Sequence, residues 1–345
     1  MIKRRKSRQI KVGGVKIGGQ APVSIQSMTT TDTSDVKATV AQIRRLEEAG
    51  CEIVRVAIKD NADAGAVRLI RRAIKIPLVC DIHYDHRLAL ACIGYGADKI
   101  RLNPGNIKGR GEIEAVARAA QKAKIPLRIG VNSGSAGSSA PSALVKAAED
   151  CVKIIEETGF RDIIISLKAS DVVSTVEAYR MMAARCRYPL HLGVTAAGPR
   201  DGGIVKSSIG IGSLLLGGIG DTVRVSLTAD PVEEVRAARR ILGSLGLRNF
   251  GPEIISCPTC GRCKVDLIRI VGEFDRAIRN TRYAIRGRPF SIAIMGCEVN
   301  GPGEAKEADI GVAFGRGAGV IFKKGRIIKR VTAANAVGEL MRELR

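Results

Sequence analysis

Two cysteine clusters near the C-terminus carry the most explicit chemistry in this chain: Cys257-Pro-Thr-Cys260, and Met295-Gly-Cys297-Glu-Val-Asn-Gly-Pro-Gly-Glu304. A C-x-x-C places two sulfurs around one metal site, and a third sulfur arriving from a distant turn can close the cage. Thiolates at this spacing bind a soft metal or an iron–sulfur cluster. The glycines and proline around Cys297 suit a tight backbone approach to a bulky inorganic group. Glu304, seven residues after Cys297, could supply an oxygen ligand. A cluster with one weaker, non-thiolate ligand has an iron that a substrate can reach, which makes it catalytic rather than a simple wire.

A second set of residues recurs at the ends of short β-rich runs. Arg55 lies in the second run, Asp81 and His83 end the third, and Arg101 and Asn103 end the fourth. Arg128 and Asn132 follow in the fifth, Ser166 and Lys168 in the sixth, His191 and Thr195 in the seventh, Arg224 and Ser226 in the eighth. Cations converging on one mouth repel each other unless an anion binds there. Arginine forks match phosphate oxygens and lysine adds a point charge, so a phosphate or diphosphate substrate is expected. Asp81-Ile-His83 puts two titratable side chains on one face of a strand.

The elements that must position these residues repeat one theme over the first 250 residues: a β-rich run, a turn, an amphipathic helix. Candidate strands are Val23–Met28, Glu52–Ile58, Pro77–His83, Lys99–Asn103, Leu127–Asn132, Asp162–Lys168, Pro189–Thr195 and Asp221–Leu227. Most are apolar-rich, as a parallel sheet covered on both faces requires. Eight such units predict an α/β fold, a closed (β/α)8 TIM-like barrel with its active site at the C-terminal strand ends. A doubly wound open sheet fits less well, because no Gly-x-Gly-x-x-Gly follows the first strand. Gln9–Gly19 reads as a hairpin turning at Gly13-Gly14 and plugging one end of the barrel. Ser133–Ser142 reads as a flexible Gly/Ser linker, and Lys206–Ile219 as a closely packed helix rich in Gly and Ser.

After Leu247 the pattern changes to a small α+β domain built around the cysteines: a helix over Val265–Arg279, strands Phe290–Met295, Asp309–Phe314 and Val320–Val331, and a final helix Ala333–Leu344. The expected domains are therefore 1–248, binding the substrate phosphates, and 249–345, holding the metal or cluster.

The bulk composition agrees with this reading. At 345 residues and 45% hydrophobic, the chain can build more than one core. No apolar run reaches membrane-spanning length and no signal peptide is evident, so a cytoplasmic protein is expected. Nine cysteines then argue for metal or catalytic use of some, not disulfides; Cys51, Cys80, Cys92, Cys151 and Cys186 stand singly and read as core residues. The net charge of +22 invites a nucleic-acid reading, but the basic residues are spread along the chain and aromatics are only 3%. A polyanionic small molecule suits the charge better.

Taken together, Ser27-Met-Thr, Asp81-Ile-His83, Lys99-Ile-Arg-Leu-Asn-Pro-Gly-Asn106, Arg128-Ile-Gly-Val-Asn132, Lys168-Ala-Ser-Asp171, His191-Leu-Gly-Val-Thr195, Arg224-Val-Ser-Leu227, Cys257-Pro-Thr-Cys-Gly-Arg262 and Asn300-Gly-Pro-Gly-Glu304 resemble the signatures of the bacterial two-domain 4-hydroxy-3-methylbut-2-en-1-yl diphosphate synthases, the IspG/GcpE family. The likeness spans nearly the whole chain. It implies a barrel followed by a sulfite-reductase-like iron–sulfur domain, and a 4Fe–4S cluster on Cys257, Cys260, Cys297 and Glu304. It implies reductive opening and dehydration of 2-C-methyl-D-erythritol 2,4-cyclodiphosphate, in non-mevalonate isoprenoid biosynthesis. The two electrons would come from flavodoxin or ferredoxin. Arg55, Arg101, Arg128 and Lys168 match the family's diphosphate clamp, with Asn132 and Ser226 beside it. Asn103, Ser166 and Thr195 join the substrate set, and Asp81, His83 and Glu304 the catalytic one. A homodimer is also implied, the cluster domain of one subunit closing over the barrel of the other.

Three features depart from the family pattern. Ala196 stands where the family carries a glutamate, a proton handler by position, so poor turnover with retained substrate binding is expected. The Ser133–Ser142 stretch replaces a longer, charged loop, so a substrate lid is expected to be missing. Cys263 adds a fourth nearby sulfur, read as incidental because Cys297 and Glu304 complete the family set. The competing readings are a structural metal such as zinc on a phosphate-binding barrel of the dihydropteroate-synthase kind, and a basic nucleic-acid-binding module. A structural zinc site usually takes four Cys or His ligands, which the Gly-Pro-Gly-Glu segment does not supply.

Overall fold

The computed structural model describes residues 2–107, 109–279, 290–299 and 305–344. The chain divides into two compact units, Met1–Arg248 and Asn249–Arg345.

In the first unit a two-stranded antiparallel hairpin, β1 (Ile10–Val12) and β2 (Val15–Ile17), precedes the barrel. The barrel strands are β3 (Ser24–Met28), β4 (Ile53–Ile58), β5 (Leu78–Ile82), β6 (Lys99–Leu102), β7 (Leu127–Asn132), β8 (Ile163–Lys168), β9 (His191–Leu192) and β10 (Thr222–Val223). They pair in parallel in the order β8-β7-β6-β5-β4-β3-β10-β9. A parallel bridge between Ile165 and Leu190 joins β8 to β9 and closes the ring. The helices between the strands are α1 (Val36–Ala49), α2 (Asn61–Ala73), α3 (His86–Gly94), α4 (Arg110–Ala123), α5 (Ser133–Ala136), α6 (Pro141–Glu157), α7 (Val172–Arg185), α8 (Arg200–Leu216) and α9 (Pro231–Ser244). Local chemistry starts them: Asp35, Asp60, Asp171 and Asp230 each accept a backbone N–H as N-cap, and Pro231 occupies the first helical turn.

The barrel matches the reading from sequence, with several differences. The hairpin does pack against barrel residues: Ile10, Val12 and Ile17 share a buried cluster with Ile53, Val79 and Ile164. The seventh and eighth strands are shorter than Pro189–Thr195 and Asp221–Leu227. Beyond Leu192 the chain turns off the ladder, and Thr195 N donates to Ala169 O at 3.3 Å. Ser133–Ser142 is not wholly a linker. It forms the short helix α5 and the start of α6, because Pro141 is preorganised for a first helical turn. The helix α2, an element the residue pattern did not single out, buries Ala64, Val67 and Ile70.

The second unit has one five-stranded sheet, ordered β11 (Glu253–Ser256), β12 (Ser291–Met295), β13 (Ile310–Phe314), β14 (Gly319–Lys323) and β15 (Arg326–Val331). The first three strands run parallel and the last two pairings are antiparallel. Helices α10 (Leu267–Arg279) and α11 (Ala336–Glu343) complete it, with Phe274, Ile292, Ile294, Val312, Phe314 and Leu340 in the core. β11 is an additional strand. The single run Val320–Val331 is two strands, because Lys324 and Gly325 both take positive φ, 47° and 75°, and turn the chain into a hairpin.

Candidate active site at the barrel mouth and a cysteine edge

Parallel register sets which side chains share the barrel interior. Met28 pairs with Arg55, Asp81 with Arg101, Arg101 with Arg128, and Asn132 with Lys168. Residues paired in this way project to the same side of the sheet. The outcome is a cavity of about 250 Å³ lined by Met28, Arg55, Asp81, His83, Arg101, Arg128, Asn132, Ser166, Lys168, Thr195, Arg224 and Ser226. Ten residues proposed from sequence as catalytic or substrate-binding are in this lining, together with Arg224, which the sequence placed among the strand-end cations; Met28 is an addition. Asn103 lies outside the lining: it is buried, and its Oδ1 accepts Gly105 N at 3.3 Å in the turn after β6. Ala196 is also outside it, exposed and at φ 48°, one residue beyond Thr195.

Two glycines make room for the cations. A Cβ at position 130 would sit 2.6 Å from Arg101 Nε, and one at position 193 would sit 2.6 Å from Lys168 Nζ. Gly130 also accepts Arg101 Nη2 on its carbonyl at 2.8 Å.

Asp81 is the organising carboxylate. Its Oδ1 accepts Arg101 Nη1 at 2.9 Å, and its Oδ2 lies 3.6 Å from Arg55 Nε and 3.5 Å from His83 Nε2. Burial alone would raise the Asp81 carboxyl, but Arg55 and Arg101 outweigh it and hold the group well below the usual carboxylate range. Arg101 Nη1 also lies 3.0 Å from His83 Nε2, and Asn106 Nδ2 lies 3.4 Å from His83 Nδ1. Arg224 is paired with Glu234 of α9 at 3.1 Å, and the same carboxylate accepts Ser27 Oγ at 3.0 Å. Glu234 has no strand-end position and escaped the sequence reading; its signal is the place one turn into a helix that follows the eighth strand.

The cations outnumber these carboxylates. Arg128 and Lys168 have no ion pair among the described residues, and Arg128 Nε and Nη1 are buried without a hydrogen-bond partner. Burial lowers the Lys168 ammonium well below its ordinary value, with Arg224, Arg55 and Arg128 adding to the effect. Burial likewise brings Arg55 down to about 10, against the pull of Asp81. A site so depleted of negative charge is built for an anion. Beneath the mouth lies a second polar group of residues. Lys99 is fully buried and donates to Gln26 Oε1 at 3.2 Å. His191 is also fully buried, with both ring nitrogens unpartnered among the described residues, and burial, then Arg128 and Lys168, hold it neutral.

In the second unit, strand register brings the cysteines to one sheet edge. Ser256 pairs with Ile294, so Cys257 and the Gly296-Cys297 turn leave adjacent parallel strands at the same end. Cys257 Sγ accepts Gly296 N at 3.3 Å, and Lys264 N donates to Gly296 O at 2.8 Å. Cys257 and Cys297 are buried, Cys260 is exposed, and Cys263 is half-buried with its thiol donating to Val265 O. Gly296 lets Cys263 approach closely: a Cβ there would meet Cys263 Sγ at 2.4 Å, so that side chain would have to move. The donor chemistry and the shared edge fit a thiolate-held group. The sulfurs are not drawn into a cage, however: among the described residues no three His, Cys, Asp or Glu side chains are arranged to hold a metal ion. Glu304 and the rest of Asn300-Gly-Pro-Gly-Glu304 lie outside the described residues. Of the other cysteines, Cys51, Cys80, Cys92 and Cys151 are buried, and Cys186 is half-buried at the end of α7.

The architecture defines a (β/α)8 barrel protein with a cation-rich mouth. Among solved structures, dihydropteroate synthase from Stenotrophomonas maltophilia matches 70% of this chain and all of its own, with a TM-score of 0.55 at 13% identity, a likeness of fold alone. Family models then place the chain more closely: the GcpE TIM-barrel domain matches residues 7–239, and the GcpE protein C-terminal domain residues 253–345. The chain belongs to the GcpE family. It is 53% identical, over the full length of both chains, to the 4-hydroxy-3-methylbut-2-en-1-yl diphosphate synthase (flavodoxin) of Thermodesulfovibrio yellowstonii. It is also 53% identical to the enzyme of the same name from Caldanaerobacter subterraneus subsp. tengcongensis, covering 98% of that protein. No helix among the described residues is long and apolar enough to cross a membrane.

Proposed function

We propose that this chain is an iron–sulfur oxidoreductase that converts 2-C-methyl-D-erythritol 2,4-cyclodiphosphate to 4-hydroxy-3-methylbut-2-enyl diphosphate in the cytoplasm. The reaction consumes two electrons, opens the cyclic diphosphate at a carbon–oxygen bond and releases one water. The observation that carries the reading is the mouth itself: Arg55, Arg101, Arg128, Lys168 and Arg224 face one cavity in which Asp81 is the lining carboxylate.

On this reading Arg128 and Lys168, lacking carboxylate partners, take the diphosphate oxygens, and Asn132, Ser166, Thr195 and Ser226 supply neutral hydrogen bonds around them. A bound dianion supplies the charge that the buried cations lack, which raises the Lys168 ammonium back toward its ordinary value and strengthens the clamp. Asp81 holds Arg55 and Arg101 in place, and Asn103 acts one step removed, by fixing the turn after β6. His83, half-exposed between Asp81 and Asn106, is placed to pass a proton to a departing oxygen. Cys257, Cys260 and Cys297, with Glu304, would hold a 4Fe–4S cluster, which when bound supplies single electrons and an iron open to an oxygen ligand. Flavodoxin is the proposed electron donor, and a homodimer, with the second unit of one subunit serving the barrel of the other, is the proposed assembly. Ala196, lacking the carboxyl of the family position, leaves one proton transfer to water or His83 and so slows turnover.

Electron paramagnetic resonance of anaerobically reconstituted, reduced protein tests this reading. A 4Fe–4S signal that changes when the cyclic diphosphate is added is the expected result. Zinc in place of iron, with no cluster signal, would overturn it in favour of a structural metal.

A further inference from the structure

The last strand of the second unit is unusual. β15 is the open edge of its sheet, and five of its six residues are exposed. A register shift opposite Ile321/Phe322 sets Ile327 against Phe322 and Lys329 against Ile321, so Ile328 is bulged out. Ile327 is 68% and Ile328 44% exposed, two neighbouring apolar side chains that regular alternation would have sent to opposite faces. Basic residues surround them: Lys323, Lys324, Arg326 and Arg330 are free of ion pairs among the described residues, whereas Lys329 is held by Glu339. Basic residues and a bulge ordinarily guard an edge against added strands. They do not account for an exposed apolar pair at its centre. A small apolar centre within a charged rim is the composition of a protein interface. The row Met295, Ala313, Val320, Arg330 crosses the sheet, so β15 runs about 14 Å, three strand spacings, from the strand that leads into Cys297.

We propose that the β14–β15 hairpin is the docking surface for an acidic electron-transfer protein, the reduced flavodoxin of the reading above, on which this inference rests. The bulge blocks strand addition, so side chains make the contact. The unpaired basic residues attract the acidic partner, and the isoleucine pair provides the short-lived apolar contact of a small, transient interface.

The test compares flavodoxin binding and turnover in the wild type, in Arg326→Glu/Arg330→Glu, and in a control with the same charge change on α1, Lys37→Glu/Arg44→Glu. In the hairpin variant, affinity for flavodoxin at low salt should fall roughly tenfold or more and its salt dependence should flatten. Turnover driven by dithionite and methyl viologen should stay at the wild-type level, and the α1 variant should bind flavodoxin normally. The neutral Arg326→Gln/Arg330→Gln should fall between, which guards against a folding defect in the charge reversal. Unchanged affinity in the hairpin variant, or equal weakening by the α1 variant, would overturn the docking surface. A wild-type protein that binds flavodoxin but never turns over the cyclic diphosphate with any reductant would instead sink the catalytic reading, and the binding comparison would still decide the surface.

Discussion

The barrel mouth and the cysteine edge reach their chemistry by opposite routes. At the mouth, Arg55, Asp81, Arg101, Arg128 and Lys168 sit on strands whose register locks each Cα against its neighbour, and all five are buried. At the cysteine edge the sulfurs sit on turns beyond the strand ends, Cys260 is exposed, and no ligand cage is formed among the described residues. A ladder of backbone hydrogen bonds can preorganise a site before anything binds. Turns cannot, and a thiolate site is commonly drawn together by the group it holds. The mouth therefore carries its cost in the protein alone, as buried cations short of counter-charge, whereas the edge shows no preorganised set of three ligating side chains among the described residues.

The largest test separates the two. Cys297→Ser should abolish cluster reconstitution and turnover, read by iron content and visible absorption, while the affinity for the cyclic diphosphate in calorimetry stays close to wild type. Loss of substrate binding in that variant would mean that the regions are not independent. Arg128→Met should do the reverse: about a 10- to 100-fold loss of substrate affinity, from one charge-assisted contact, with iron content intact.

A smaller effect concerns the rim. Ala196→Glu should raise kcat by about two orders of magnitude if that position handles a proton, with the substrate dissociation constant changed much less. An unchanged kcat would show that turnover here does not need the carboxyl. The smallest effect lies beneath the mouth. Burial, then Arg128 and Arg55, hold the Lys99 ammonium well below its ordinary value. The folded chain thus gives up a proton that the unfolded chain keeps up to about pH 10.4. Stability should then rise with pH between the folded and unfolded values, since the unfolded state binds more protons there. Lys99→Met should remove that contribution and add about 1–2 kcal/mol at neutral pH, a few degrees in Tm by calorimetry. A lowered Tm would show that the Gln26 contact outweighs burial of the amine.

Much of the mouth was legible in the chain because a parallel strand advertises its inward residues by alternation. Asp81-Ile-His83, Arg101 and Asn103, and Ser166 and Lys168 all follow that period. Asn103 shows its limit: the strand ends at Leu102, and the next inward position belongs to a turn. Glu234, which neutralises Arg224 from a helix, was hidden because its contact crosses from one element type to another. The split of Val320–Val331 turned on two positive φ values at Lys324 and Gly325, and a lysine in that conformation gives no local warning.

By itself, then, the sequence determined the barrel, the family and the residue types of both sites, since period and motif are local properties of the chain. Only the tertiary structure decided which cations went unpaired, that Lys99 and His191 form a buried polar layer, and that Ile327 and Ile328 share an exposed edge. Each of these depends on which side chains strand register and a bulge bring together, and spacing along the chain does not encode that.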